Sequence, residues 1–316
     1  MTDRIHKPVL LAEVLALVPA TAQLIVDCTI GGGGHAEGIL SKLDSEVSLI
    51  GFDRDVDALA MAKQRLADYG SRVVLIHDSY ANLDRHLGAG RMGGVDFALL
   101  DLGLSSPQLE TSSRGFAFQK PEDPLDLRFD RTSGEPLRVK LASTSTDELK
   151  KILREYGELD NAGRLATAIA AAARDERLQT VAGLRETVTP YFRGGKRNQF
   201  LAQIWQALRI WVNDELHQLE IGLTKVVNCL RPDGVMAIIS FHSLEDRMVK
   251  EFFRLQENPC TCPRDLPQCV CGRKPVLERI TRKAIKPTEN EIETNSRARS
   301  ARLRAARKLS GLLIPN

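Results

Sequence analysis

No stretch of this 316-residue sequence approaches the roughly 20 uncharged apolar residues that a helical bilayer span needs. The opening residues, Met1 to Pro8, also lack the apolar run of a signal peptide. A membrane protein and an exported protein are therefore not expected, and the chain reads as cytoplasmic. Apart from a βα period there is no internal repeat, which excludes a solenoid. Cysteine is scarce, at six residues. Four of those six, Cys260, Cys262, Cys269 and Cys271, fall within one short stretch, and in a reducing compartment such a cluster suggests metal binding or spare thiols rather than disulfides. Cys28 and Cys229 sit among apolar neighbours and read as core thiols. A strong net charge is missing too: the sum is +3. That sum hides an uneven distribution, because residues 272–310 hold 12 Lys and Arg against 4 Glu, leaving the remainder of the chain negative.

What the sequence does have is 43% hydrophobic residues, enough for one generous α/β core or a core with a smaller second unit. Short apolar strands ending in an acid recur at Leu24 to Asp27, Ser48 to Asp53, Val73 to Asp78 and Val95 to Asp101. Their terminal acids are 26, 25 and 23 residues apart, the spacing of successive βα units in a doubly wound parallel sheet. Ligands of such sheets bind beyond the carboxyl ends of the strands, so four carboxylates are expected at one edge. After Asp101 the pattern breaks. Ser145 and Glu148 form a capping-box signature, an Ala-rich segment spans Leu165 to Ala173, and residues 106–198 read as a helical insertion that recognises substrate. Residues 1–105 and 199–316 then make the core. One long amphipathic helix is expected from Leu201 to Leu230, followed by a strand over Val235 to Phe241, a last strand near Val276 to Ile285, and a basic C-terminal arm. In that arm Arg297, Arg299, Arg302, Arg304, Arg307 and Lys308 are expected to meet phosphate.

The sharpest local signal is Asp27-Cys28-Thr29-Ile30-Gly31-Gly32-Gly33-Gly34-His35, placed between a strand and a helix. Glycines there let backbone N–H groups approach a ligand at a helix N-terminus. Asp53, at the end of the second strand, stands where an acid accepts both ribose hydroxyls of an adenosine-containing cofactor. NAD and S-adenosylmethionine share that feature. An acid four residues before Gly31-x-Gly33 suits a cofactor with an ammonium and a sulfonium but no phosphate, which favours S-adenosylmethionine and leaves an NAD-dependent oxidoreductase as the weaker alternative. Asp78 and Tyr80 fit an adenine amine and a stacking ring, or a helix cap and a core aromatic. Asp101-Leu102-Gly103-Leu104-Ser105-Ser106-Pro107-Gln108 is the place for a methyl acceptor, or an ordinary Ser-Pro turn. Asn213 and His242 either hold a base or satisfy buried backbone groups. The Cys-x-Cys pairs suggest a tetrahedral zinc site, although the usual spacing is wider.

The strings His6 to Val14, Asp27 to His35, Asp101 to Gln108, Arg114-Gly115-Phe116, Pro124 to Arg128, Ala207 to Ile210 with Asn213 to Leu216, Ser240 to Arg247 and Ser296 to Ala301 resemble the bacterial ribosomal RNA small-subunit methyltransferase H family (MraW type) in order along almost the whole chain. Ala36, Asp123 and Lys196 to Trp205 depart from its pattern. The resemblance implies a class I (Rossmann-like) methyltransferase core interrupted by a helical domain. It also implies N4-methylation of a cytidine in the decoding region of small-subunit (16S) ribosomal RNA, with that RNA, within the small subunit, as partner. Gly33, Gly34, His35, Asp53, Tyr80, Asp101 and Gln108 would contact S-adenosylmethionine, and Asp101, Ser106, Asn213 and His242 would serve the transfer. An exocyclic amine is a poor nucleophile because its lone pair is delocalised into the ring. Acceptors for its N–H groups and in-line placement against the sulfonium are what the protein must supply. A diverged paralogue acting on another RNA and an inactive RNA-binding assembly protein are the other readings.

Overall fold

Ile25, Leu49, Phe97 and Leu99 point to one face of a sheet and Val26, Ile50, Ala98 and Leu100 to the other, and none is more than 2% exposed. Apolar residues on both sides of each strand are what a parallel sheet covered on both faces demands. The structure is a computed structural model, and it describes residues 8–43, 46–88, 91–105, 108–109, 113–263, 268, 270–309 and 314. In chain order its named elements are α1 (Leu11–Leu17), β1 (Leu24–Asp27), α2 (Gly34–Lys42), β2 (Ser48–Asp53), α3 (Val56–Arg65), β3 (Val73–His77), α4 (Leu83–Leu87) and β4 (Val95–Asp101). Five further helices follow: α5 (Leu137–Ser143), α6 (Thr146–Glu155), α7 (Ala162–Arg174), α8 (Val181–Val188) and α9 (Arg197–Asn213). The chain continues through α10 (Glu215–Cys229), β5 (Leu230–Ser240), α11 (Ser243–Glu257), β6 (Leu277–Arg279), α12 (Glu289–Thr294) and β7 (Arg302–Lys308).

The strands form one sheet in the order β3-β2-β1-β4-β5-β7-β6. The first five are parallel, and β7 runs antiparallel between β5 and β6. This is the class I methyltransferase architecture. Strand order reverses between β1 and β4, so Asp27 and Asp101, which end those two strands, flank the switch point where doubly wound sheets bind ligands. No helix among the described residues is long and apolar enough to cross a membrane.

Two compact units divide the chain: Met1–Gly103 with His217–Asn316, which holds the sheet, and Leu104–Leu216. The second unit has its own core, built from α5 to α9 and the segment before them. Ser145 caps α6 by accepting the Glu148 N–H at 3.2 Å, and the Ala-rich segment lies inside α7. Arg114-Gly115-Phe116 and Pro124 to Arg128 knit this core. Trp205 Nε1 donates to Gly115 O at 2.8 Å, Arg114 Nη1 donates to Phe129 O at 2.9 Å, and Arg128 grips Asp126 through two bonds of 2.7 and 3.0 Å.

Three expectations need correction. The long helix over 201–230 is two helices, because Asp214 adopts a left-handed conformation (φ 54°) that ends α9. The last strand is shorter than 276–285: β6 ends at Arg279, and Ile285 forms an isolated bridge with Leu303. The basic arm is a strand of the sheet. Arg304 donates to both oxygens of Asp246 at 2.7 and 3.1 Å, Arg302 donates to Asp246 at 2.9 Å, Arg307 lies 3.2 Å from Glu278, and Lys308 is buried with Nζ on Leu230 O at 2.8 Å. Arg302, Arg304, Arg307 and Lys308 therefore have partners within the fold, while Arg297 and Arg299 lie in the 3-10 turn Ser296–Ser300 before the strand.

Candidate cofactor site

β1 delivers Asp27, and the chain then turns sharply through Thr29 to Gly33 into α2. Asp27 is buried and accepts the Thr29 N–H at 3.1 Å. Gly33, the residue before α2, has φ 80°, a conformation that disfavours any side chain, and a Cβ on Gly34 would lie 2.8 Å from Pro8 Cγ. A Cβ on Gly32 would meet nothing within 4 Å, so this part of the loop presents backbone to open space.

Asp53 ties the ends of two strands together. Its Oδ2 accepts the Gly31 N–H and its Oδ1 the Asp55 N–H, both at 2.9 Å. At the end of β4 the Asp101 N–H donates to Thr29 Oγ1 at 2.6 Å, while Asp101 Oδ1 is buried with no hydrogen-bond partner among the described residues. Asp101 Oδ2 lies 3.4 Å from His35 Nδ1, and His35 Nε2 is 2.9 Å from Val9 O. A carbonyl can only accept, so Nε2 carries the ring proton and a neutral His35 turns a lone pair toward Asp101. Burial holds His35 below its ordinary pKa.

Three carboxyls thus crowd one sheet edge, and all are hard to ionise there. Burial raises Asp27 to about 7, against the lowering effect of His35; the like charges of Asp101 and Asp53 add to the rise. Burial, then the charge of Glu245, raises Asp101 to about 7. Burial raises Asp53 to about 6 even though its two backbone donors pull the other way. Such a cluster favours a cationic ligand and repels a pyrophosphate. An orphaned carboxylate oxygen, a ribose-type acid at a strand end and an open glycine turn fit S-adenosylmethionine, with its ammonium and sulfonium.

The sign of the pH dependence follows. Each of these carboxyls titrates higher in the folded chain than in the unfolded one. Its contribution to stability is complete below about pH 4 and is lost as pH rises through 6 to 7. His35, with a lowered pKa, acts oppositely but is one group against three. Asp78, Asp84, Asp96 and Asp246 are all lowered and change only in more acidic solution. Between about pH 5.5 and 8 the ligand-free melting temperature is expected to fall while affinity for S-adenosylmethionine rises, by up to about tenfold per pH unit for each group below its pKa. Calorimetry in buffers of different ionisation enthalpy should show proton release on binding near pH 6. An affinity independent of pH over that range would contradict a cationic ligand on these carboxylates.

The remaining candidates have partners of their own. Asp78 is engaged locally, with His86 at 2.7 Å, Asn82 at 2.9 Å and the Ser79 N–H at 2.7 Å. Tyr80 is half-buried against α10, where a Cβ on Gly222 would come within 2.4 Å of its ring. His242 caps α11 in a capping box: its Nδ1 accepts the Glu245 N–H at 3.4 Å, and Glu245 Oε2 accepts from Phe241 N–H at 2.9 Å and His242 N–H at 3.3 Å. Gln108 and Asn213 belong to the unit Leu104–Leu216, where Gln108 Oε1 accepts the Ser105 N–H at 2.9 Å and Asn213 binds three backbone groups. Ser106 lies outside the described residues. Sequence reasoning missed Thr29, which positions the Asp101 backbone, and Glu245, whose charge acts on the Asp101 carboxyl. The Ser-x-x-Glu-like spacing of His242 and Glu245 was the available signal for the latter.

Residues 3–309 match the model of the MraW methylase family. Among similar proteins, "Ribosomal RNA small subunit methyltransferase H" of Syntrophotalea carbinolica is 46% identical over 96% of this chain and 98% of its own length. The protein of the same name from Geobacter sp. is 45% identical over 98% of this chain and all of its own. Among solved structures, an rRNA methylase from Streptococcus thermophilus superposes with a TM-score of 0.43 at 15% identity, covering 98% of this chain and 100% of that one.

Proposed function

The chain belongs to the MraW methylase family, and from that membership together with the carboxylate-lined site we propose that it transfers a methyl group from S-adenosylmethionine to N4 of a cytidine in the decoding region of small-subunit ribosomal RNA. The observation that carries the cofactor assignment is the set of Asp27, Asp53 and Asp101, three carboxyls raised to between about 6 and 7 at the carboxyl ends of β1, β2 and β4. The same set argues against the NAD reading, since a pyrophosphate would meet three acids.

S-adenosylmethionine supplies an electrophilic methyl group on a sulfonium. Asp53 is assigned to its ribose hydroxyls, the turn Gly31 to Gly34 and His35 to the backbone-lined end of the site, and Asp27 to its positive charge. Tyr80 and Gln108 follow as cofactor contacts from the family resemblance. Asp101 is assigned to the acceptor amine. Its unpartnered Oδ1 can accept an N–H, which draws the nitrogen lone pair out of conjugation. The amine proton passes to Asp101 or to solvent after transfer, and the lone pair of a neutral His35 beside Oδ2 lets the carboxyl keep that proton without adding charge. Ser106 remains a candidate for the same amine, and His242 for holding the base.

The unit Leu104–Leu216 is assigned to RNA recognition. Arg193, Lys196 and Arg197 stand exposed in the stretch 192–199, which carries no acid, and such cations give phosphate affinity without reading sequence. The test is incubation with methyl-labelled S-adenosylmethionine and either assembled small subunits or free ribosomal RNA lacking the modification, followed by nuclease digestion and mass spectrometry of the nucleosides. N4-methylcytidine is expected. Methyl on a ring carbon, a ribose oxygen or another base would overturn the N4 assignment, and no transfer with intact cofactor binding would favour an assembly protein that has lost activity.

A further inference from the structure

The segment between α11 and β6 has little of its own to keep it folded. Val276 N–H donates to Gln256 O at 2.9 Å, and Arg279 donates to Glu257 through its backbone at 3.1 Å and its side chain at 2.7 Å, so the two ends are clamped together. Between those clamps no described residue from 258 to 275 is buried, none lies in a helix or strand, and Val270 is 77% exposed. Excursions of more than about 12–15 residues without secondary structure are uncommon in compact domains, and a loop without a core needs another constraint.

The loop holds that constraint in its sulfur atoms. The Sγ atoms of Cys260, Cys262 and Cys271 all lie within 4.8 Å of one another, although Cys271 is nine residues beyond Cys262. All five described cysteines are thiols rather than disulfides. Tetrahedral zinc with Zn–S bonds of about 2.3 Å sets its sulfurs just under 4 Å apart, so the three require only a small contraction. The Val270 N–H already points at Cys262 Sγ at 3.4 Å, the backbone donor that a metal-bound thiolate wants as its outer partner. Cys269 supplies a further thiol in the sequence and lies outside the described residues.

We propose that this loop is a structural zinc site with the thiolates of Cys260, Cys262 and Cys271 as ligands. Each ligating thiol gives its proton to solvent as its Zn–S bond forms, and the ion cross-links the two ends of the stretch 260–271. Exposed Arg273 and Lys274 offset the negative charge of a zinc–thiolate centre. The site takes no part in methyl transfer, and its existence does not depend on the proposed reaction.

Protein purified under reducing conditions without chelator should carry about one zinc per chain by elemental analysis, the stoichiometry of a single tetrahedral site. Replacing zinc by cobalt should give the ligand-field and charge-transfer bands of tetrahedral thiolate coordination. The double variant C260S/C271S should bind at least tenfold less metal, whereas Cys229→Ala, which removes a buried core thiol, should keep it. Trypsin should cut after Arg273 at least tenfold faster once the metal is stripped. A wild-type chain that stays metal-free both as purified and after incubation with zinc overturns the proposal. So does iron in place of zinc, a mass lower by the two hydrogens of a disulfide, or a cleavage rate indifferent to chelation.

Discussion

Asp53→Ala is expected to weaken S-adenosylmethionine binding by about 100-fold or more, the effect of losing two hydrogen bonds to a charged acceptor at about 1.5–3 kcal/mol each. The variant does more than remove a ligand contact. Asp53 also receives the Gly31 and Asp55 N–H groups at 2.9 Å, so its carboxylate helps shape the glycine turn that the cofactor meets. Asp53→Asn separates the two roles. An amide oxygen can still accept one of those N–H groups, but it brings no charge and only weak acceptance for ribose hydroxyls. The Asn variant should therefore melt close to the wild type while binding as poorly as the Ala variant. Because the Asp53 carboxyl sits at about 6 through burial, removing it relieves a cost at neutral pH, and neither variant should be strongly destabilised there. Calorimetric titration and a melting curve on the same samples decide it. Wild-type affinity in both variants would move the ribose site away from the end of β2.

The parts of this fold that were legible in the sequence are those whose cause is local. β1, β2 and β4 declare themselves because both faces of each strand are apolar and each ends in an acid. The glycine turn declares itself because only glycine tolerates such crowding and such dihedrals. Distant partners account for what was illegible. Arg302 to Lys308 reads as a cationic surface segment, and only the placement of Asp246 on α11 and of the Leu230 carbonyl shows that its charges are satisfied inside the sheet. The apolar period of 201–230 runs unbroken across Asp214, so nothing in it marks the left-handed residue that splits the helix. The proton arrangement of His35 and Asp101 depends on Val9 and Glu245, far away in sequence on other elements. The cysteine cluster was visible as spacing, but the bare loop around it, which motivates the zinc, was visible only in three dimensions.

Asn213 shows the same limit at a site candidate, and its replacement is expected to produce the largest loss of stability of any single side chain discussed. It is 2% exposed near the end of α9. Its Oδ1 accepts the Phe129 N–H at 2.8 Å, and its Nδ2 donates to Leu127 O at 2.7 Å and to Arg209 O at 3.0 Å. Leu127, fully buried, adopts φ 59°, a left-handed conformation that costs a branched side chain about 1–2 kcal/mol and persists only where its surroundings hold it. The Asn213 amide is part of that hold, since it binds the residue itself and the one two positions later. Asn213→Ala leaves a part-buried N–H and a buried carbonyl without this partner, at up to about 1–3 kcal/mol each. A loss of about 3–5 kcal/mol is expected once release of the Leu127 turn is included. Both tryptophans of the chain, Trp205 and Trp211, lie in α9, so fluorescence during urea unfolding reports on this unit directly. The midpoint should fall sharply, while S-adenosylmethionine affinity measured well below the transition should change little. A variant that unfolds at the wild-type midpoint yet no longer methylates RNA would show the opposite, that Asn213 acts on the substrate and that the turn at Leu127 stands without it.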